Sequence, residues 1–189
     1  MRRTVLLALV LALPVVVTGC GTPAEVRPRP EPRAAEPQRV ELGWRETYPA
    51  TGRERLVFLV DSLEVTSRGW TARIGIRNDT GVAYAARPGT ADSRYGLMLF
   101  ATGDLGELED AASSGGLPPV REAAAIEPEP PATLAAGATW RATLSARGSL
   151  PAGSHVRVVF GPLRTEGEPP EGLEAEIVWI TDRSHRLRP

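Results

Sequence analysis

The chain has 189 residues, 42% of them hydrophobic and 24% charged, which is too apolar for a disordered protein and enough for one ordinary domain. Its formal charge is −1, and every basic side chain is Arg; losing Arg2 and Arg3 with a removable leader leaves 20 basic against 23 acidic side chains, or −3. No field suited to nucleic acid follows, and the single cysteine excludes both an internal disulfide and a thiolate-rich zinc site.

Arg2 and Arg3 precede an apolar run from Val5 to Val17, which has the length of a signal-peptide core and is short for a spanning helix. The run ends in Val17, Thr18, Gly19 and Cys20. This quartet resembles the lipobox of bacterial lipoproteins, in which an apolar and a small residue lead to Gly or Ala and a modified cysteine. The resemblance covers residues 1–20 and implies a leader of residues 1–19, cleavage before Cys20 and diacylglycerol on its thiol. Two or three acyl chains, at about 0.8 kcal/mol per buried methylene, hold a domain at a bilayer durably. Cys20 is then an anchor, and the expected location is the extracytoplasmic side of a bacterial membrane. Gly21 stands where an Asp would resemble a signal for inner-membrane retention, so the choice of membrane stays open. An ordinary secretory leader followed by an unrelated thiol is the alternative.

Residues 20–38 are expected to form a hydrated linker, because Pro23, Pro28, Pro30, Pro32 and Pro37 alternate with Arg, Glu and Ala without apolar periodicity. Arg27, Arg29 and Arg33 are nearly balanced by Glu25, Glu31 and Glu36.

From residue 39 the dominant period is two, with turn residues every eight to twelve positions, the pattern of an all-β sandwich or barrel. Leu56 to Val65 predicts a strand with a bulge near Asp61, where the alternation changes phase. Thr66 to Gly69 reads as a hairpin turn. Trp70, Ala72, Ile74 and Ile76 then mark the buried face of a second strand, which closes in the turn Asn78 to Gly81. Shorter strands are expected at Val82–Ala86 and Tyr95–Ala101. Alternation predicts further strands around Trp140, Ala142 and Leu144, and around Val156, Val158 and Phe160. The last expected strand, Leu173–Thr181, places Leu173, Ala175, Ile177 and Trp179 on one side and is covered on both faces at Val178 and Ile180. Trp70, Trp140 and Trp179 are assigned to the core; Trp44 and Tyr48 lie in a segment read as irregular and are the aromatics expected to be exposed. Residues 39–183 are expected to form the domain and 184–189 a charged tail.

Two segments, Leu134-Ala135-Ala136-Gly137 before a Trp-bearing strand and Leu150-Pro151-Ala152-Gly153 before Val156, resemble secreted bacterial immunoglobulin-like domains, as does the first hairpin with its Asn-containing turn. The likeness spans about Leu56 to Thr181 and implies a single antiparallel immunoglobulin-like β-sandwich. No cysteine pair crosses the sheets, and no tyrosine corner is evident.

Thr102 to Pro131 is rich in Gly, Pro and Ser and reads as a long loop, with at most a helical turn around Val120–Ala125. Its acidic cluster, Asp104, Glu107, Glu109 and Asp110, is the candidate binding loop, although the alternation of a calcium-binding loop is missing. The two histidines, His155 and His185, lie on different elements, and Asp182, Ser184 and His185 contain the residue types of a hydrolytic triad within four positions of a charged tail. No residue set calls for a cofactor or a metal, and no catalytic residue is assigned. The leading expectation is a non-catalytic module of the cell envelope that binds an envelope protein or polymer. A structural or assembly factor is one alternative, and a hydrolase whose acidic residues converge only in three dimensions is another. A pocket joining the acidic loop to a histidine would favour the hydrolase.

Overall fold

In the computed structural model, which describes residues 33–86 and 94–189, eleven strands and one helix follow in the order β1 (Gln38–Tyr48), β2 (Arg55–Val65), β3 (Gly69–Asp79), β4 (Tyr84–Ala85), β5 (Gly96–Phe100), α1 (Leu105–Ser114), β6 (Arg121–Glu122), β7 (Ala125–Glu127), β8 (Thr139–Arg147), β9 (His155–Thr165), β10 (Glu176–Ile180) and β11 (His185–Arg186). The chain is all-β, and its antiparallel sheets pack as a sandwich. One sheet runs β1-β2-β3-β8-β7; the other runs β10-β9-β5-β6, with β4 and β11 also paired to β9.

The alternation in β2 and β3 produces the inner face of the first sheet. Leu56, Phe58 and Val60 point inward, and after Asp61 the inward set becomes Leu63 and Val65, all at most 1% exposed. The switch is the expected bulge: Val60 pairs with Ile74, but Ser62 pairs with Arg73, so Asp61 is the extra residue. Trp70, Ala72, Ile74 and Ile76 face the same core from β3. The Thr66 hydroxyl accepts from the Arg68 and Gly69 amides and fixes the hairpin turn. At the far end, buried Asn78 donates through Nδ2 to the Val82, Leu134 and Ala135 carbonyls, tying the turn to the approach to β8.

β1 occupies the segment read as irregular. Val40, Leu42, Trp44 and Tyr48 do alternate with Arg39, Glu41, Arg45 and Thr47, and a bulge between Glu41 and Trp44 turns on Gly43 at φ +58°. Trp44 is therefore buried at 8% exposure and Tyr48 half-buried, against the exposure expected of both. Glu46 obscured the pattern because it too faces inward. Its carboxylate accepts from Trp179 Nε1 and from the Asp182 and Arg183 amides at 2.9 to 3.0 Å, linking the two sheets at this edge.

Val156, Val158 and Phe160 of β9 meet the inner face of the first sheet, with Phe58 and Phe160 ring centroids 5.2 Å apart. The strand expected over Leu173–Thr181 is shorter, β10 at Glu176–Ile180, and Trp179 is half-buried. Val178 is 49% exposed, so the double coverage expected there is absent. At Gly161 the β9 backbone bulges against β10; a Cβ there would lie 2.7 Å from the Ile177 carbonyl.

Both ends of the described chain are more ordered than expected. Ala34 bridges to Pro151, Ala35 is buried at 5% exposure and its amide donates to Leu150 O, so residues 33–37 belong to the packed domain. The expected tail pairs with β9 through β11 and buries Leu187 completely.

Candidate functional site

The stretch read as a long loop contains α1. Asp104 caps it, its carboxylate accepting from the Gly106 amide, and Gly115 at φ +70° ends it. Glu107 reaches back to accept from the Ala101 and Thr102 amides and from the Thr102 hydroxyl. Those hydrogen bonds, the hydroxyl's foremost, hold its carboxyl below the usual range. Two members of the acidic cluster are thus engaged with the start of the helix, while Glu109 and Asp110 are exposed on it. The helical turn expected around Val120–Ala125 is instead extended chain, β6 and β7, which crosses from the edge of one sheet to the edge of the other.

Leu108 fastens α1 to the outer face of the second sheet, where it packs with Met98, Phe100 and Val159 in a small second core. Beneath the start of α1 lies Arg157, which alternation places on that outer face and which is completely buried. Its guanidinium donates to the carbonyls of Gly103 and Asp104 on one side and of Thr181 and Asp182 on the other, and stands 5.4 Å from the centroid of Phe100. Burial lowers its pKa, opposed by Asp182, Glu46, Glu107 and Asp104. Sequence reasoning missed this residue; the only signal was an Arg alternating with Val in a strand that proves to be covered on both faces.

The candidate triad residues do not converge. Ser184 Oγ lies 3.4 Å from His155 Nδ1, whereas His185 Nε2 is 3.3 Å from Gln38 Oε1. Gly103 sits against the His155 ring, where a Cβ would come within 2.7 Å of Nδ1, so the start of the acidic segment does reach this histidine. Among the described residues no carboxylate hydrogen-bonds His155, and no three His, Cys, Asp or Glu side chains could jointly hold a metal ion.

Among the described residues, the second sheet's outer face is left uncovered where α1 stops. A groove of about 360 Å³ lies there, its floor formed by Met98, Val159 and Ile180 and its walls by Leu117, Val120 and Val178. Arg94 and Glu176 stand at its rim, and Glu176 pairs with Arg164 at 2.9 Å. Leu117 and Val178 are two of the three large apolar side chains exposed among the described residues, the third being Leu105. The groove runs beside β10, an edge strand of the sheet. Extended backbone at a sheet edge next to an apolar trough is suited to taking in another extended chain. The sequence reading did not place a site here, because its walls come from β10 and from the chain between α1 and β6.

The lipobox residues Val17, Thr18, Gly19 and Cys20 lie outside the described residues. Among those described, no helix is long and apolar enough to cross a membrane. No family model matches the chain, and neither a curated protein nor a solved structure matches it.

Proposed function

We propose that this chain is a lipid-anchored extracytoplasmic envelope protein whose immunoglobulin-like sandwich is a non-catalytic binding module. Its ligand in this reading is an extended apolar segment of another envelope protein, seated in the groove beside β10. The observation that carries the reading is the pairing of exposed Leu117 and Val178 across one trough: solvent-exposed apolar side chains gathered at a concave surface mark interaction sites more often than scattered ones do. The anchor rests on the sole cysteine standing directly behind Val17, Thr18 and Gly19. The immunoglobulin-like assignment is supported by the two antiparallel sheets and by the turns before β8 and β9.

Two variants test the two halves separately. Cys20→Ser is expected to abolish acyl labelling and move the protein from the membrane to the soluble fraction; unchanged labelling and fractionation would refute the anchor. Leu117→Asp with Val178→Asp is expected to reduce in-cell crosslinking to the partner about tenfold or more without lowering the urea midpoint, since both side chains are already exposed. Undiminished capture would place the binding surface elsewhere.

A further inference from the structure

A second surface, at the opposite side of the sandwich from the groove, combines positive charge with proximity to the anchor. The hairpin turn between β2 and β3 carries Arg68, and the end of β8 carries Arg147 opposite Gly69. The two arginines border a cleft of about 360 Å³ on the outer face of the first sheet, which Thr71 and Ser145, directly paired across β3 and β8, also line. Among the described residues, no acidic side chain lines it. Neither Arg68 nor Arg147 forms an ion pair among the described residues, whereas Arg39, Arg73, Arg77, Arg141 and Arg164 all do. Arg121 approaches the same end, donating to the Ser149 carbonyl.

This is the end at which the chain enters the domain. Gln38, the first residue of β1, pairs with Val65 just before the hairpin turn; the Gly148 amide donates to Arg68 O, and the Ala35 amide to Leu150 O. Only residues 21–32 separate Cys20 from Arg33. Fully extended, the chain from Cys20 to Arg33 spans at most about 47 Å. A bilayer holding lipid on Cys20 would therefore lie within that distance of Arg33, whose carbonyl accepts from the Ala152 amide beside the arginine-bearing turns. A guanidinium fork matches the oxygens of a phosphate, and arginine close to an anionic surface is attracted within a Debye length.

We infer that Arg68 and Arg147 form a binding site for the phosphate headgroups of anionic phospholipids, which seats the tether-proximal end of the sandwich on the membrane and turns the groove beside β10 away from it. The inference rests on the proposed anchoring at Cys20, and its test separates the two. The full chain carrying Ser149→Cys, an exposed position at this end, takes an environment-sensitive fluorophore and is mixed with vesicles of phosphatidylglycerol and phosphatidylcholine or of phosphatidylcholine alone, each with a nitroxide on a fraction of the headgroups. Flotation reports the anchor and quenching reports docking. The expected result is flotation with both vesicles but quenching only with the anionic ones, lost in about 1 M NaCl, where the Debye length falls to ~3 Å. The pair Arg68→Glu and Arg147→Glu should abolish the quenching while flotation persists. Flotation with both vesicles and equal quenching would overturn the headgroup site and leave the anchor standing. Flotation with anionic vesicles alone, lost in the Arg68→Glu and Arg147→Glu chain, would overturn the anchor and uphold the site. Release of quenching by inorganic phosphate but not by chloride at equal ionic strength would assign the arginines to a discrete phosphate ligand and overturn membrane seating.

Discussion

Arg157 Nη2 donates to the Asp104 main-chain carbonyl at 2.9 Å, so a strand residue buried at the centre of the second sheet fixes the residue that caps α1. The same guanidinium holds the Thr181 and Asp182 carbonyls. Two segments 77 positions apart at Asp104 and Thr181 are thereby joined through one side chain. Replacing Arg157 by Met keeps much of the volume but removes the one side chain that donates to all four carbonyls. A loss of about 3 to 5 kcal/mol is expected in urea unfolding. Because the α1 start depends on the same contact, amide exchange at Gly106 and Glu107 should accelerate more than in β3; equal protection in both places would show that Arg157 does not position the helix.

The core assignments from strand phase lead to a second expectation. Trp140 is 7% exposed, contacts Tyr95 edge-on with centroids 5.5 Å apart and donates through Nε1 to the Pro128 carbonyl; Ile74 is 1% exposed at the middle of β3. Trp140→Ala should cost about 3 to 5 kcal/mol, a large part of the stability of a domain held at about 5 to 15. Ile74→Asp places a carboxylate in the same core and should prevent cooperative unfolding altogether. Thermal melts indistinguishable from the wild type would contradict the phase of β3 and β8.

The stretch 103–131 is dispensable in the loop reading, because closing a flexible loop costs only slowly more with length. The structure changes that expectation. Leu108 packs on Met98, Phe100 and Val159, so replacing residues 104–116 by a short Gly-Ser link uncovers that second core while leaving the main one intact. The shortened domain should still fold, weakened by about 2 to 4 kcal/mol, and should bind more of a hydrophobic dye such as ANS than the intact chain does. Unaltered stability would mean that the outer face gains nothing from α1.

His185 gives the fold a dependence on pH. Burial, reinforced by Arg188 and His155, holds its imidazole below the usual value, and Nε2 lies against Gln38 Oε1. The unfolded chain therefore binds the proton more readily, beginning near its ordinary pKa of about 6.5. The stabilising contribution is present above that value and is lost progressively as pH falls below it. His185→Gln, which retains an amide donor toward Gln38 and cannot titrate there, should flatten the fall in the urea midpoint between about pH 7 and pH 5.5. A slope unchanged by the substitution would place the dependence on another group.

What the sequence by itself determined was the local part of the structure. Alternation in Leu56–Val65 and Trp70–Asn78 specified both strands, their inward faces and the phase change at Asp61, because the period of a strand is written in neighbouring residues. The helix was also legible in principle, through Asp104 as its cap, Glu107 three positions on and Gly115 at its end, but one buried Leu108 among Gly and Ser gave too weak a period to outweigh the loop composition. Tertiary structure alone decided the rest. Glu46 faces inward because its hydrogen-bond partners come from Trp179, Asp182 and Arg183, more than 130 positions away, and Arg157 is buried because two distant turns bring it their carbonyls. The groove beside β10 and the cleft between Arg68 and Arg147 are likewise made by separate strands meeting. Polar residues are buried only where partners replace water, and which partners arrive is settled when the sheets close on each other.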